Sequence, residues 1–257
     1  TRPILSRGHS LTGESRTAGK HPRPSAAKPR GSRPRSLQET VRKGWNRLSF
    51  VYRPARSLTD ATGHPNREYR TWLQPLLRTL PAGSPVLDLG CGSGTPAAGI
   101  LSSRFRVTGI DLSDVQIRRA RKLLPKATFV RAEMTTVRFP PESFTGVVSL
   151  YSMIHVPVGK HRPLLRRIYR WLTPGGLLLA IVGHNRWTGT EVGWLGLNAE
   201  MYWSHASAAT YEKWLREAGF EIRRRKFIPE GKSGHEMFLA QKPEKAERKA
   251  TSSGLLA

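Results

Sequence analysis

The sequence is short of acids, cysteine and long apolar runs. It holds one cysteine, Cys91, so neither a disulfide framework nor a cysteine-based zinc site is available. A reducing, cytoplasmic setting is expected. The longest purely apolar run, Leu177 to Val182, falls far short of the ~20 residues that span a bilayer, so no membrane-spanning helix is expected. The histidines are scattered, with neither a His-x-x-x-His nor a His-Glu-x-x-His spacing, and no metal site is expected. No internal repeat is present. No methionine precedes Met134, so a start outside the given sequence, or at a non-methionine codon, is expected.

Acids number 18 against 43 Lys and Arg, a formal net charge of +25 over 257 residues. Residues 1–36 carry Glu14 as their one acid, five prolines and almost no large apolar residue. Such a stretch cannot offset its ordering entropy by burial, and the composition predicts a disordered basic arm over 1–36. Residues 241–257, with Thr251-Ser252-Ser253-Gly254 near their end, read as a flexible tail. The remaining 37–240 forms one domain and is basic in its own right. A basic chain can meet nucleic acid, an anionic surface or nothing.

From Pro85 onward, short apolar runs alternate with amphipathic stretches. Val86–Leu89, Phe105–Ile110, Ala127–Val130, Phe144–Leu150 and Leu177–Val182 read as strands. Asp114–Leu124 and Lys160–Leu172 read as helices. In the latter, Leu164, Leu165, Ile168, Trp171 and Leu172 fall on one helical face. Pro174-Gly175-Gly176 stops that helix and turns the chain into the next strand. Ser207–Ala218 reads as another helix, and Phe220–Ile228 and His235–Ala240 as an antiparallel pair joined by a tight polar connection over Pro229–Gly234. Two helices, 38–52 and 66–80, precede the sheet, joined by a loop with Gly63 and Pro65. Alternating strand and helix predicts a parallel α/β sheet with right-handed crossovers.

The most informative stretch runs from Val86 through Leu87, Asp88 and Leu89 to Gly90-Cys91-Gly92-Ser93-Gly94. A buried strand enters three alternating glycines, and Thr95-Pro96 opens a helix. Glycines admit positive φ and let a ligand touch the backbone, and a helix start adds unpaired N–H groups. The spacing is G-x-G-x-G, not the G-x-G-x-x-G of dinucleotide-binding loops. Asp88 would repel a pyrophosphate but suit an ammonium group. Asp111 ends the next strand, where an acid can accept from both hydroxyls of a ribose. Glu133 follows the third strand, where an acid can accept from an adenine amino group. Three acids, one per strand, fit the three parts of one ligand.

On these residues the chain resembles the class I S-adenosylmethionine-dependent methyltransferases, over about Trp45 to Lys242. It is most similar to bacterial small-molecule enzymes of the broad methyltransferase-domain group. The likeness covers Asp88–Gly94, Asp111, Ala132-Glu133, Phe144-Thr145-Gly146-Val147-Val148 and Leu172-Thr173-Pro174-Gly175-Gly176. Thr145 stands where the family often has Asp. The resemblance implies a Rossmann-like, doubly wound, mostly parallel seven-stranded sheet with an antiparallel last strand and helices on both faces. It implies S-adenosyl-L-methionine as cofactor, held by Tyr52, Asp88, Gly90, Cys91, Gly92, Asp111, Leu112, Gln116, Glu133, Met134 and Leu150. Trp45–Tyr52 resembles the aromatic helix that closes over the cofactor.

Methyl transfer is an in-line displacement that needs alignment above all and, for a hydroxyl or protonated amine, a base. His155 is the candidate base and Tyr151 its catalytic neighbour, both after the fourth strand; capping the next segment is an equally good use of His155. The Gly/Trp-rich insertion 184–206 is expected to cap the substrate, with Glu191, Trp194 and Tyr202 also in it. Its candidate acceptor contacts are His184, Trp187, Trp203 and His205, joined by His235 from the last hairpin. The expected partner is a small-molecule acceptor. RNA or DNA methylation is an alternative, motivated by the charge; but Leu150-Tyr151-Ser152-Met153 lacks the polar-Pro-Pro-aromatic motif of amino-methylating enzymes, and Cys91 sits in the loop rather than at a nucleophile position. A non-catalytic cofactor-binding module is a second alternative, and a nicotinamide dehydrogenase is disfavoured by Asp88.

Overall fold

The computed structural model describes residues 36–54, 66–231 and 233–244. The expected arm lies outside them except for Ser36, as do the Gly63/Pro65 loop and the tail beyond Glu244. Helices α1 (Leu37–Tyr52) and α2 (Asn66–Thr79) come first. Then β1 (Pro85–Leu89), α3 (Ala97–Ser102), β2 (Arg106–Asp111), α4 (Asp114–Leu123), β3 (Thr128–Arg131), β4 (Phe144–Leu150), α5 (His161–Trp171) and β5 (Leu172–Gly183) follow. The chain closes with β6 (Trp187–Val192), β7 (Glu200–His205), α6 (Ala208–Glu217), β8 (Glu221–Glu230) and β9 (Ser233–Gln241).

Seven strands form one sheet in the order β3-β2-β1-β4-β5-β9-β8. Strands β1 to β5 are parallel, and β9 runs antiparallel to both β5 and β8. A central parallel strand is covered on both faces and must be apolar on both. Val86, Leu87 and Leu89 are accordingly fully buried. The sheet separates two cores. On one side Trp72, Leu73 and Leu76 of α2, Leu101 of α3 and Ile117 of α4 pack on Val86, Val148 and Leu179. On the other, Leu164 and Ile168 of α5 and Tyr211 and Leu215 of α6 pack on Leu87, Val147 and Phe238.

Hydroxyls start three helices. Ser36, Ser113 and Ser207 each accept the N–H of the residue three positions on, at 3.2, 3.1 and 3.3 Å. Ser207→Ala should lower the stability of the fold by about 1 kcal/mol, the usual worth of such a cap, read as a lower midpoint in chemical denaturation.

Three local expectations change. The α5 helix ends at Trp171, and Pro174-Gly175-Gly176 form a bulge inside β5 rather than a turn before it: pairing with β4 jumps from Phe144↔Leu172 to Gly146↔Leu177. Pro229 and Glu230 pair with Gly234 and Ser233, so the final hairpin closes more tightly than a loop over Pro229–Gly234. Gln241 is the last residue of β9, and Lys242 still bonds Leu172 O through Nζ at 2.7 Å, so the fold runs past residue 240.

The stretch 184–206 forms a separate antiparallel pair, β6–β7, with Trp187 opposite His205 and Val192 opposite Glu200. It packs on α1: Met201, Ala199 and Leu48 share a small core edged by Trp45, Trp194 and Trp203. The contact is close because residue 44 is glycine; a Cβ there would meet Met201 Sδ at 2.3 Å. Strand β8 forms one edge of the large sheet and exposes Arg223, Arg224, Arg225 and Lys226 in succession. No described helix is long and apolar enough to cross a membrane.

Candidate active site

The strand order reverses between β1 and β4, and in open α/β sheets such a switch point opens a crevice beyond the carboxyl ends of the strands. Here that crevice is floored by the turn after β1. Gly90, Gly92 and Gly94 have φ of +74°, +54° and +81°, values that L side chains rarely adopt. Gly90 has a second reason to be glycine. A Cβ there would lie 2.2 Å from Ser152 Cβ, whereas at Gly92 the nearest atom is 3.9 Å away, on Gln116. The backbone at Gly92 therefore faces open space.

Asp88 is 2% exposed, and its Oδ2 is buried with no hydrogen-bond partner. Burial, reinforced by the charge of Asp111, pushes its pKa up to about 7. A buried carboxylate without a partner costs free energy, and a cation entering the crevice would relieve that cost. Asp111 closes β2 with Oδ2 accepting from Gly92 N–H at 3.0 Å and Oδ1 from Ser113 N–H at 2.8 Å. Burial raises its pKa to about 6, against the opposing pull of the backbone N–H groups of Ser113, Gly92 and Leu112. Glu133 accepts from the N–H of Thr135 at 3.1 Å and from its hydroxyl, so this acid also fixes the turn after β3.

All eleven residues expected to hold the cofactor line this one crevice: Tyr52, Asp88, Gly90, Cys91, Gly92, Asp111, Leu112, Gln116, Glu133, Met134 and Leu150. Tyr151 and His155 line it too. The Cys91 thiol is held in its protonated form by burial and by the nearby Asp88 and Asp111 carboxylates. Sequence reasoning missed Arg53, Tyr69 and Ser152 as lining residues. Arg53 donates to Tyr69 Oη at 2.7 Å and lies over the Tyr52 and Tyr69 rings. A basic residue directly after the aromatic end of α1 was the available signal.

Helix α1 roofs the crevice and is tied down by polar contacts to α4. Ser49 donates to Gln116 Oε1 at 2.7 Å, Ser113 to Asn46 Oδ1 at 2.6 Å, and Arg42 to Asp114 at 2.9 Å. His155 follows β4 in a short 3₁₀ turn, Met153–His155. Its Nδ1 lies 2.9 Å from Tyr202 O on β7. A carbonyl only accepts, so Nδ1 carries the proton and Nε2 keeps a lone pair. Burial lowers the pKa of His155 to about 4, so the ring is neutral at pH 7. Tyr151 sits in the left-handed region at φ +56°. Burial and Glu230 hold its hydroxyl protonated well above the usual range, so it can donate but not act as a base.

Residues 86–176 match the family model described as a methyltransferase domain. Over these residues the chain is similar to methyltransferase domains. Among similar proteins, trans-aconitate 2-methyltransferase of Paracidovorax citrulli is 39% identical over 111 residues, 42% of this chain and 42% of the relative. The 27-O-demethylrifamycin SV methyltransferase of Amycolatopsis mediterranei is 37% identical over 106 residues, 38% of each chain. The chain thus spans less than half the length of these relatives. An S-adenosylmethionine-dependent methyltransferase structure from Methanosarcina mazei superposes with a TM-score of 0.58 at 22% identity, covering 66% of this chain and 98% of that one; this likeness concerns the fold.

The five residues expected to contact the acceptor lie outside the described crevice lining. His184 Nδ1 lies 2.7 Å from Glu236 Oε2, and Glu236 also accepts from Arg225. Trp187 is exposed on β6. The His205 ring packs against Gly183, where a Cβ would fall 1.9 Å from its Nδ1. His235 Nδ1 is 3.2 Å from Glu230 Oε2, with its ring 4.9 Å from that of Tyr151. Trp203 stands one layer behind the lining, its ring 4.4 Å from His155. The hairpin therefore meets the domain's crevice through His155 and α1. Among the described residues, no group of three or more His, Cys, Asp and Glu is placed to hold a metal.

Proposed function

We propose that the protein transfers the methyl group of S-adenosylmethionine to a small-molecule acceptor. The observation that carries this reading is the unpartnered, buried Oδ2 of Asp88 at the mouth of a positive-φ glycine turn, with Asp111 and Glu133 in the same crevice. The residues fit the cofactor part by part. Asp88 would take the ammonium group, the open backbone at Gly92 the amino-acid chain, Asp111 the ribose hydroxyls and Glu133 the base. Tyr52 and Trp45 of α1 would cover it from above. When bound, the cofactor supplies an electrophilic methyl group on a positively charged sulfur.

The chain's own task is then to exclude water and hold the acceptor in line. Such alignment can be worth ~7–11 kcal/mol of barrier. His155 would hold the acceptor's proton at Nε2, and Tyr151, its hydroxyl tied to Glu230, would line the crevice beside it. The relatives' names, for aconitate and rifamycin methyltransferases, support a small molecule rather than a polymer as acceptor. Insertion 184–206 would act as a cap through its grip on α1.

Calorimetric titration with S-adenosylmethionine and S-adenosylhomocysteine tests the reading. Binding of both at micromolar levels is expected; no heat with millimolar cofactor would remove it. A nucleic-acid acceptor would show instead as methyl transfer to RNA or DNA with steeply salt-dependent binding.

A further inference from the structure

Five aromatic rings meet beside the crevice, of which Trp45, Tyr52 and His155 line it. Trp45 and Tyr52 come from α1, His155 from the turn after β4, and Trp194 and Trp203 from the hairpin. Trp45 lies edge-on to Tyr52 at 4.9 Å, to His155 at 5.4 Å and to Trp194 at 5.8 Å. Trp203 contacts His155 at 4.4 Å and Trp194 at 5.1 Å. Three separate elements thus build one wall around a single imidazole. The tautomer of that imidazole is set by Tyr202 O, and its segment is pinned twice more: Val158 N–H donates to Ser204 Oγ at 2.9 Å, and His161 Nε2 donates to Val156 O at 2.8 Å. His161 is itself fully buried and held by Tyr211 Oη at 2.8 Å. The indole N–H of Trp203 is buried without a hydrogen-bond partner.

This wall is electron-rich and apolar, its rings set edge to face, with one lone pair at its edge. Flat rings stack or meet edge-to-face on such surfaces, worth about 0.5–1.5 kcal/mol per pair beyond area burial. Its chemistry also selects among nucleophiles. A carboxylate or thiolate needs no base. An aliphatic alcohol holds its proton too tightly for a weak imidazole base, whereas a phenol releases one far more readily. His155 is such a weak base, because burial disfavours its protonated form.

Resting on the methyltransferase reading above, we propose that the acceptor is a flat aromatic hydroxyl compound, seated against Trp45 and Tyr52 with its hydroxyl at His155 Nε2, and that the reaction is phenolic O-methylation. The phenolic oxygen forms the bond to the methyl carbon as the carbon–sulfur bond breaks and its electron pair stays on sulfur. The phenolic proton passes to His155 Nε2 and later to water. The imidazolium formed is stabilised by the Tyr202 carbonyl, which accepts from Nδ1.

The test uses the full chain with labelled S-adenosylmethionine and a panel of simple phenols, aliphatic alcohols, amines, carboxylates and thiols. Calorimetry of cofactor binding is run in parallel, together with nitrogen-15 NMR of the histidines in the presence of S-adenosylhomocysteine. Phenols are expected to be the group methylated. Adding an unreactive phenol ether should leave the His155 Nε2 resonance unchanged, and adding the free phenol should move it. His155→Ala should lower turnover of ordinary phenols by about 10²-fold or more with cofactor affinity unchanged. It should have far less effect on nitrophenols, which are already ionised at pH 8. Equal losses for both kinds of phenol, transfer confined to amines, carboxylates, thiols or aliphatic alcohols, or transfer to no member of the panel would each overturn the proposal. The methyltransferase reading falls separately, if the calorimetry shows no cofactor binding.

Discussion

Replacing Asp88 by Asn should make the free protein more stable at pH 8 while weakening its grip on S-adenosylmethionine. Both effects come from one buried charge. Asp88 titrates near pH 7 in the folded chain, far above an exposed aspartate. The native state therefore binds more protons than the unfolded state between pH 4 and pH 7, and stability falls as pH rises through that window. The stabilising contribution is complete below about pH 4 and is lost as pH passes about 7. Asn keeps the shape and removes the charge, so denaturant melts at pH 8 should show a gain of up to a few kcal/mol, shrinking to nothing near pH 4. The groups facing Asp88 are the Asp111 carboxylate, which raises its pKa, and the protonated Cys91 thiol. Neither offsets the charge. The cofactor's ammonium group would. Its charge-assisted hydrogen bond should be worth about 1.5–3 kcal/mol, so affinity should drop about 10- to 10²-fold in Asp88→Asn. Wild-type affinity should rise between pH 5 and pH 8 as Asp88 ionises, and the variant should lose most of that rise. A variant that binds as tightly as wild type, with the same pH profile, would show that Asp88 does not meet a cation.

Two neighbouring glycines should fail in opposite ways. Gly90→Ala puts a Cβ within 2.2 Å of Ser152 Cβ, and Ser152 cannot retreat. Its hydroxyl is held by Leu89 O at 2.5 Å and Ser149 Oγ at 2.8 Å, and its residue is buried. The clash adds to the left-handed backbone at φ +74°, and overpacking of this kind typically costs about 1–3 kcal/mol before the backbone penalty. This variant should be visibly less stable. Gly92→Val meets no such obstacle, since nothing lies closer than 3.9 Å. It carries the penalty of φ +54°, of order 1–3 kcal/mol, and should still fold. Its side chain would occupy the space proposed for the cofactor, so binding should fall below detection in calorimetry while circular dichroism stays native. The contrast separates a glycine kept for packing from one kept for the ligand. Comparable binding losses in two comparably folded variants would argue against that division.

The strands and helices of the sheet were legible because their signals are local. Leu164, Leu165, Ile168 and Trp171 fall on one face of a helix whatever else the chain does, and Val86–Leu89 is apolar because a central strand is covered twice. The bulge at Pro174-Gly175-Gly176 was not legible. The same residues suit a turn, and only the register against β4 decides. The gathering of the three acids was readable for a related reason: Asp88 lies near the end of β1, Asp111 closes β2 and Glu133 follows β3, so sheet geometry delivers all three to one crevice. The placement of residues 184–206 was not. His184, Trp187 and His205 lie outside the crevice lining, and their facing depends on how β6 and β7 pair. Strand β6 is exposed through most of its length, so it carries no alternation of apolar and polar residues from which facing could be read. Arg53, Tyr69 and the inward turn of Trp203 toward His155 depend on contacts between residues far apart in the chain.

The outer strand β8 has a consequence for how copies of this protein meet. An unpaired strand edge is a template for another strand. Here a run of four cations, of which Arg223 and Arg225 are ion-paired to acids of the same chain while Arg224 and Lys226 extend into solvent, would meet its counterpart when two such edges approached, and like charges set opposite one another repel. Arginine stays charged at any physiological pH, so the barrier does not switch off in acid or mild base. Crowding, concentration or a partly melted rim should therefore not readily thread these molecules into continuous ribbons, and what could erode that protection is salt, by screening.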